Sequence, residues 1–282
     1  MTFRKRLARA IEKNRSLLCI GLDPDLERFP EGVARDPEGI VAFNRAIIEA
    51  TADLVCAYKP NLAFYLAHGA AGIAALAELR HLVPPDIPII LDAKLGDIAS
   101  TAAAYAQAVF ETLGFDAVTV HPYLGSEALE PFLAARERGV FVLIRTSNPG
   151  ATELQDVPVG ASGEPLFLWL ADRVREWNER CGNLGLVVGA TYPVDLALVR
   201  QRCPELPILA PGVGAQGGDL EEAVRAGLAE GTGPLIVAVS RSVLYASSGR
   251  DFAEAARATA QRLRDAIELV RSTLQRQETA GS

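Results

Sequence analysis

The sequence predicts a single (β/α)8 TIM barrel over residues 1–282, with an extra N-terminal helix (1–14) and a long C-terminal helix. Three observations lead there. Eight short apolar runs each precede a helical segment, the alternation that builds a parallel sheet covered by helices. No repeat, linker or shift in composition divides the 282 residues, a length at which one α/β barrel is ordinary. Polar residues also gather where the runs end. Asp23, Lys59, Asp92, Lys94, His121, Ser147 and Arg241 all follow their apolar runs, and in a barrel those C-terminal strand ends share the one face that carries active sites. Together they point to an enzyme.

Taken in order, residues 1–16 are basic, and Phe3, Leu7 and Ile11 fall at helical spacing. Leu17–Leu22 is the first strand and stops at Asp23-Pro24. After a helix over about 38–52, Leu54–Tyr58 leads into Lys59-Pro60-Asn61. A long helix to Leu82 is broken by Pro84-Pro85. Ile87–Leu91 is the third strand, and the helix after it runs to about Leu113. Asp116–His121 is the fourth strand, followed by a helix over 125–138 that Gly139 closes. Val140–Ile144 ends in Arg145-Thr146-Ser147-Asn148. The Gly- and Pro-rich stretch 148–165 reads as a long loop, of the kind that is functional or mobile. A helix over 166–180, strand Leu184–Gly189, a short helix near 194–202 and strand Pro207–Ala210 follow. The last unit is a helix at 219–229, strand Leu235–Val239 and a helix over 251–276, with 277–282 as a frayed polar tail.

With 49% hydrophobic and 22% charged residues, the chain can build a sizeable core. A net charge of −7 argues against nucleic acid as a partner. No apolar run approaches the ~18 residues of a membrane span, and no secretory h-region follows the basic N-terminus, so a cytoplasmic protein without membrane attachment is expected. Cys19, Cys56, Cys181 and Cys203 and the three histidines lack ligand-like spacing, so no metal site is expected.

The chemistry centres on Ile87–Tyr105, IPIILDAKLGDIASTAAAY. Side chains two apart on a strand share a face, so Asp92 and Lys94 should point the same way. Charges at the mouth of an apolar strand must pair or do chemistry. For this stretch alone, a strand-end ion pair with Asp97 as helix N-cap and a catalytic cluster are equally good readings. Lysine usage favours chemistry. Only four of the 28 basic residues are lysine (Lys5, Lys13, Lys59, Lys94), and two of those end predicted strands. An ammonium can give up a proton where a guanidinium does not. After the seventh strand, PGVGAQGG places four glycines in eight residues before Asp219. Such a loop brings backbone N–H groups close to an anion, and Arg241 supplies a bidentate fork from the eighth strand. A flexible turn is the plain alternative, but barrels often hold phosphate between these two loops.

DAKLGDIAST, PGVGAQGGD and SRS, with Lys59 ending strand two, resemble the orotidine 5′-phosphate decarboxylase family over residues 15–247. CIGLDPD and TSNPG are similar to its larger bacterial (type 2) subfamily. The resemblance implies cofactor-free conversion of orotidine 5′-phosphate (OMP) to UMP and CO2 in pyrimidine biosynthesis. It implies Lys94 as proton donor to C6, within a charged network of Lys59, Asp92 and Asp97. It also implies a homodimer in which Asp97 and Thr101 reach the neighbouring subunit's site. By the same resemblance, Asp23 contacts the ribose, Ser147 the pyrimidine amide, and Gln216 and Arg241 the phosphate. His121 gains no firm role and reads as structural. Two rivals remain. Metal-dependent relatives (3-keto-gulonate-phosphate decarboxylase, hexulose-phosphate synthase) place an acid at the end of strand two, where this chain has Lys59. A nucleotide-sensing barrel would keep the phosphate site but needs no alternating Lys/Asp network.

Overall fold

Runs apolar on both faces become parallel strands buried on both faces. In the computed structural model, which describes residues 1–213, 219–229 and 231–281, the barrel strands are β1 (Leu18–Gly21), β2 (Ala57–Lys59), β3 (Ile90–Leu95), β4 (Ala117–Val120), β5 (Gly139–Arg145), β6 (Leu184–Val188), β7 (Ile208–Pro211) and β8 (Leu235–Val239). They pair in parallel in the order β2-β1-β8-β7-β6-β5-β4-β3. The bridges Tyr58↔Ile89 and Asn61↔Asp92 join β2 to β3. The predicted (β/α)8 barrel is thus closed.

Two apolar layers follow from that closure. The outer one lies between strands and helices and includes Ile20, Tyr58, Leu91, Val118, Val142 and Leu186. The inner one fills the barrel with Cys19, Cys56, Ile90, Phe141, Leu209 and Ile236, joined by Phe3 and Leu7 of the N-terminal helix Phe3–Asn14. That helix plugs the face opposite the active-site end. Phe3 meets Phe141 edge-on at 5.6 Å between ring centroids, and a Cβ on Gly139 would lie 2.5 Å from the Phe3 ring. Arg6 of the helix pairs with buried Asp116, which also accepts from Arg80 at 3.2 Å and from the Ile89 N–H at 2.9 Å. The cysteines are apolar filler: all four are buried and unpaired, and burial pushes the Cys19 thiol up to about 12.

Several elements differ from expectation. The helix over 62–82 is two helices, Leu62–Leu66 and Gly69–Leu82. Gly69 turns the chain between them at φ +60°. The helix after β3 is α-helical only over Ala99–Gln107 and continues as a π-helical turn, Ala108–Thr112. Residues 125–138 hold only a 3-10 turn, Glu127–Leu129, and a short helix, Glu130–Ala134. Gly139 opens β5 instead of closing that helix, because Phe3 occupies the space a side chain would need. The 148–165 loop contains a 3-10 turn (Pro149–Ala151), one helical turn (Thr152–Gln155) and a small hairpin pairing Pro158–Val159 with Glu164–Pro165. The last helix extends through the expected tail, Phe252–Gly281, in keeping with the helix formers Gln275, Arg276 and Gln277.

Candidate active site

The C-terminal strand ends open onto a cavity of about 680 Å³, lined among others by Asp23, Lys59, Asp92, Lys94, Ser147 and Arg241. Its floor is an ion cluster. Lys59 Nζ donates to Asp92 Oδ2 at 3.0 Å, and Lys94 Nζ donates to Asp92 Oδ1 at 2.6 Å. The Lys59 side chain is 8% exposed and that of Lys94 is 45% exposed. One ammonium is therefore buried in the cavity floor against Asp92, and the other faces the space a ligand would enter. Burial opposes ionisation of Asp92, but the Lys59 and Lys94 charges outweigh it and hold the carboxyl well below the usual carboxylate range. Burial likewise opposes charge on Lys59, while Asp92 and Asp23 raise it above the ordinary lysine value.

Asp92 and Lys94 meet, although not through regular strand alternation. The β3–β4 register runs from Leu91 opposite Val118 to Leu95 opposite Val120, so β3 bulges between them. Within the bulge Lys94 takes a left-handed backbone, φ +47°, a conformation that is costly for a residue with a Cβ and typical of functional sites. Thr119 of β4 lies opposite. Its Oγ1 accepts from the N–H groups of Ala93 (3.0 Å) and Lys94 (2.9 Å) and donates to Asp92 Oδ1 at 3.0 Å. No local pattern in the sequence marks Thr119, because its partners come from a neighbouring strand.

The loop after β3 rests on His121. A Cβ on Gly96 would fall 2.2 Å from His121 Nε2, so glycine is needed where the imidazole packs. Asp97 does not cap the next helix. Its carboxylate accepts from the Ile98 N–H at 2.8 Å, and Ile98 is the cap residue of Ala99–Gln107. Neither Asp97 nor Thr101 lines the cavity of its own chain. Thr101 lies exposed on the outer face of that helix, near exposed Ile98 and Tyr105.

Around the rim, Asp23 Oδ1 accepts from the Asn61 N–H at 3.1 Å. The Tyr245 hydroxyl donates to the Asp23 carbonyl at 3.0 Å and accepts from the Asp25 N–H at 2.7 Å. Ser147 reaches the cavity from the segment after β5. Arg145, just before it, is nearly buried between Asp195 (2.8 Å) and Asp156 (2.6 Å) and stacks on Tyr192 and Phe167. This guanidinium ties the 148–165 segment to the start of the helix Pro193–Arg202 after β6, an anchor not recognised from the sequence. Arg241 opens the turn Arg241–Leu244 and borders the cavity. Asp219 caps helix Leu220–Leu228 as expected, accepting from the Glu222 N–H at 2.9 Å. Gln216 and the rest of 214–218 lie outside the described residues. The cluster thus sets an ammonium beside a fixed carboxylate at the cavity floor, with a cationic fork at the rim.

Comparison with known proteins identifies the family. The profile of the orotidine 5′-phosphate decarboxylase / HUMPS family matches residues 16–258. An orotidine 5′-phosphate decarboxylase of Thermomicrobium roseum is 77% identical over 271 residues, 96% of either chain. Another, from Roseiflexus castenholzii, is 58% identical over 95% of this chain and 97% of its own. The structure of Leishmania donovani OMP decarboxylase superposes with a TM-score of 0.85 at 41% identity, covering 96% of this chain and 99% of that one. The chain belongs to the orotidine 5′-phosphate decarboxylase / HUMPS family.

Proposed function

We propose that the chain decarboxylates OMP to UMP and CO2, with Lys94 as the acid that protonates C6. The observation that carries this is the pair of ammonium groups on one buried carboxylate, Lys59–Asp92–Lys94, in the barrel's active-site mouth. Loss of CO2 leaves an electron pair in the plane of the pyrimidine ring at C6, where the ring π-system cannot accept it. Stabilisation must then come from a charge already in place. Lys94 Nζ has the exposure to meet that centre, and Asp92 fixes it from behind. At an effective dielectric of about 20, opposite charges ~4 Å apart attract by about 4 kcal/mol, so one well-placed ammonium is a substantial term. The same Nζ proton is delivered to C6 as the carbanion forms, and solvent later returns a proton to the amine. Asp92, beside the substrate carboxylate, adds ground-state repulsion that leaves with CO2.

Lys59 keeps the Asp92 carboxylate charged and occupied, which disfavours the metal-binding use of that acid. Asp23 is assigned to the ribose hydroxyls, Ser147 to the pyrimidine amide, and Gln216 with Arg241 to the phosphate. The phosphate grip supplies binding energy remote from the reacting bond. Asp97 and Thr101 are assigned to the neighbouring site of a homodimer, consistent with their position off the chain's own cavity. We read the whole chain, 1–282, as one cytoplasmic catalytic domain. Turnover of OMP in D2O tests the chemistry: UMP should carry deuterium at C6, and UMP with hydrogen there would rule out a solvent-exchangeable donor such as Lys94.

A further inference from the structure

We propose that Thr119 is a positioning residue for the proposed proton transfer: its hydroxyl locks the Asp92 carboxylate and the left-handed backbone of Lys94 into one unit. The inference rests on the decarboxylase reading given above.

The bulge in β3 places four residues, Asp92 to Leu95, against the two that follow Val118 on β4. A bulge takes backbone groups out of the strand ladder, and buried N–H groups without partners are strongly disfavoured. Here both N–H groups at the bulge, those of Ala93 and Lys94, donate to Thr119 Oγ1 at 3.0 and 2.9 Å. A hydroxyl has two acceptor sites and one donor. With both acceptor sites filled, the remaining proton points at Asp92 Oδ1, 3.0 Å away. All three capacities are used, and each partner belongs to the catalytic bulge. Thr119 is 1% exposed, and β4 fixes its backbone through the Thr119↔Phe141 register with β5. The hydroxyl therefore references the bulge to the barrel wall.

Two consequences follow. The φ of +47° at Lys94 is unfavourable for a residue with a Cβ, and the Thr119 bond to its N–H helps hold it there. Asp92 Oδ1 also accepts from Lys94 Nζ at 2.6 Å, so the hydroxyl and the ammonium share one oxygen. The hydroxyl thereby sets the carboxylate rotation from which the ammonium is aimed. Removing it frees both the backbone that carries Lys94 and the carboxylate that orients its tip. Thr119 acts through those two groups, and its proton stays in the Asp92 bond.

The test compares Thr119→Val, which keeps shape and removes the hydroxyl, with Thr119→Ser, which restores it. Three quantities are read: kcat on OMP, Kd for UMP, and exchange of the UMP C6 proton with D2O, in which the neutral Lys94 amine takes up the proton and the solvent-exchanged ammonium returns deuterium, with no carboxylate loss. We expect kcat to fall roughly 100-fold in the valine variant, the scale of a small misplacement of a catalytic group. C6 exchange should fall in parallel and Kd for UMP should hold, while serine recovers most of the loss. Unchanged kcat in Thr119→Val overturns the inference, as does a loss of UMP affinity and melting temperature together with kcat. If Thr119→Val fails to fold, Thr119→Ser decides alone: wild-type values support the hydroxyl's role, and a roughly 100-fold loss of kcat in the folded serine variant, which keeps the hydroxyl, refutes it. Absence of OMP turnover in the unaltered protein would instead refute the decarboxylase reading, an outcome separate from these.

Discussion

At the scale of single residues, the Lys59–Asp92–Lys94 cluster makes sharp pH predictions. The Asp92 carboxyl is depressed on folding, because the two ammonium charges outweigh burial. Its stabilising contribution is thus present above the unfolded value of ~3.9 and is lost as pH falls through the lower folded value. Lys59 is raised, with Asp92 and Asp23 outweighing burial. Its contribution is complete below the unfolded value of ~10.4 and is lost as pH rises through the higher folded one. Between those limits the pair keeps its charge, so a pH–rate profile should show no acid limb from Asp92 above about pH 4. Lys59→Met leaves a buried carboxylate with one partner fewer. Urea denaturation should register a loss of about 3–5 kcal/mol, and the acid limb should move up in pH. A variant as stable as the parent would mean that the pair is solvated in solution.

Local elements explain what the sequence made readable and what it hid. Parallel strands are apolar on both faces, so the barrel reads as apolar runs with charged residues at their ends, although β2 and β3 lie at Ala57–Lys59 and Ile90–Leu95, shifted from the runs 54–58 and 87–91. The bulge at Lys94 could not be read that way. It depends on how β3 registers with β4, and its signature is Thr119, an ordinary threonine in an ordinary strand. Arg145 is similar: its partners Asp156 and Asp195 lie on different segments, so no local pattern marks the clamp that holds the long loop. The helix expected over 62–82 breaks because Gly69 takes a left-handed turn, which composition alone does not distinguish from a glycine inside an alanine-rich helix. The turn after β3 gives a compensation test. Gly96→Ala drives a methyl into His121 and should cost about 1–3 kcal/mol, with activity falling as the Lys94 bulge shifts. His121→Ala in the same chain should recover much of both. No recovery in the double variant would show that backbone freedom, and not the imidazole, requires glycine there.

The whole molecule is a barrel plugged at one end and reactive at the other. Phe3 and Leu7 close the lower mouth while the ion cluster occupies the upper one. Stability and activity should therefore separate. Phe3→Ala should lower unfolding free energy by about 3–5 kcal/mol and leave kcat nearly unchanged at a temperature where the protein stays folded. A large fall in kcat with little destabilisation would place the helix in the catalytic machinery. The proposed dimer makes a further prediction, since Lys94 would serve one site and Asp97 its neighbour's. Lys94→Ala and Asp97→Ala proteins, each inactive, should recover activity when unfolded and refolded together, because hybrids contain one intact site. If the mixture stays inactive, Asp97 acts within its own chain.

The most direct measurement is the fall in ultraviolet absorbance when OMP is added with excess EDTA, run beside Lys94→Ala. We predict rapid conversion to UMP by the unaltered chain in chelator, and loss of nearly all turnover in the variant. Near-normal turnover by Lys94→Ala, or activity that returns only when Mg²⁺ is restored, would contradict cofactor-free decarboxylation by this lysine.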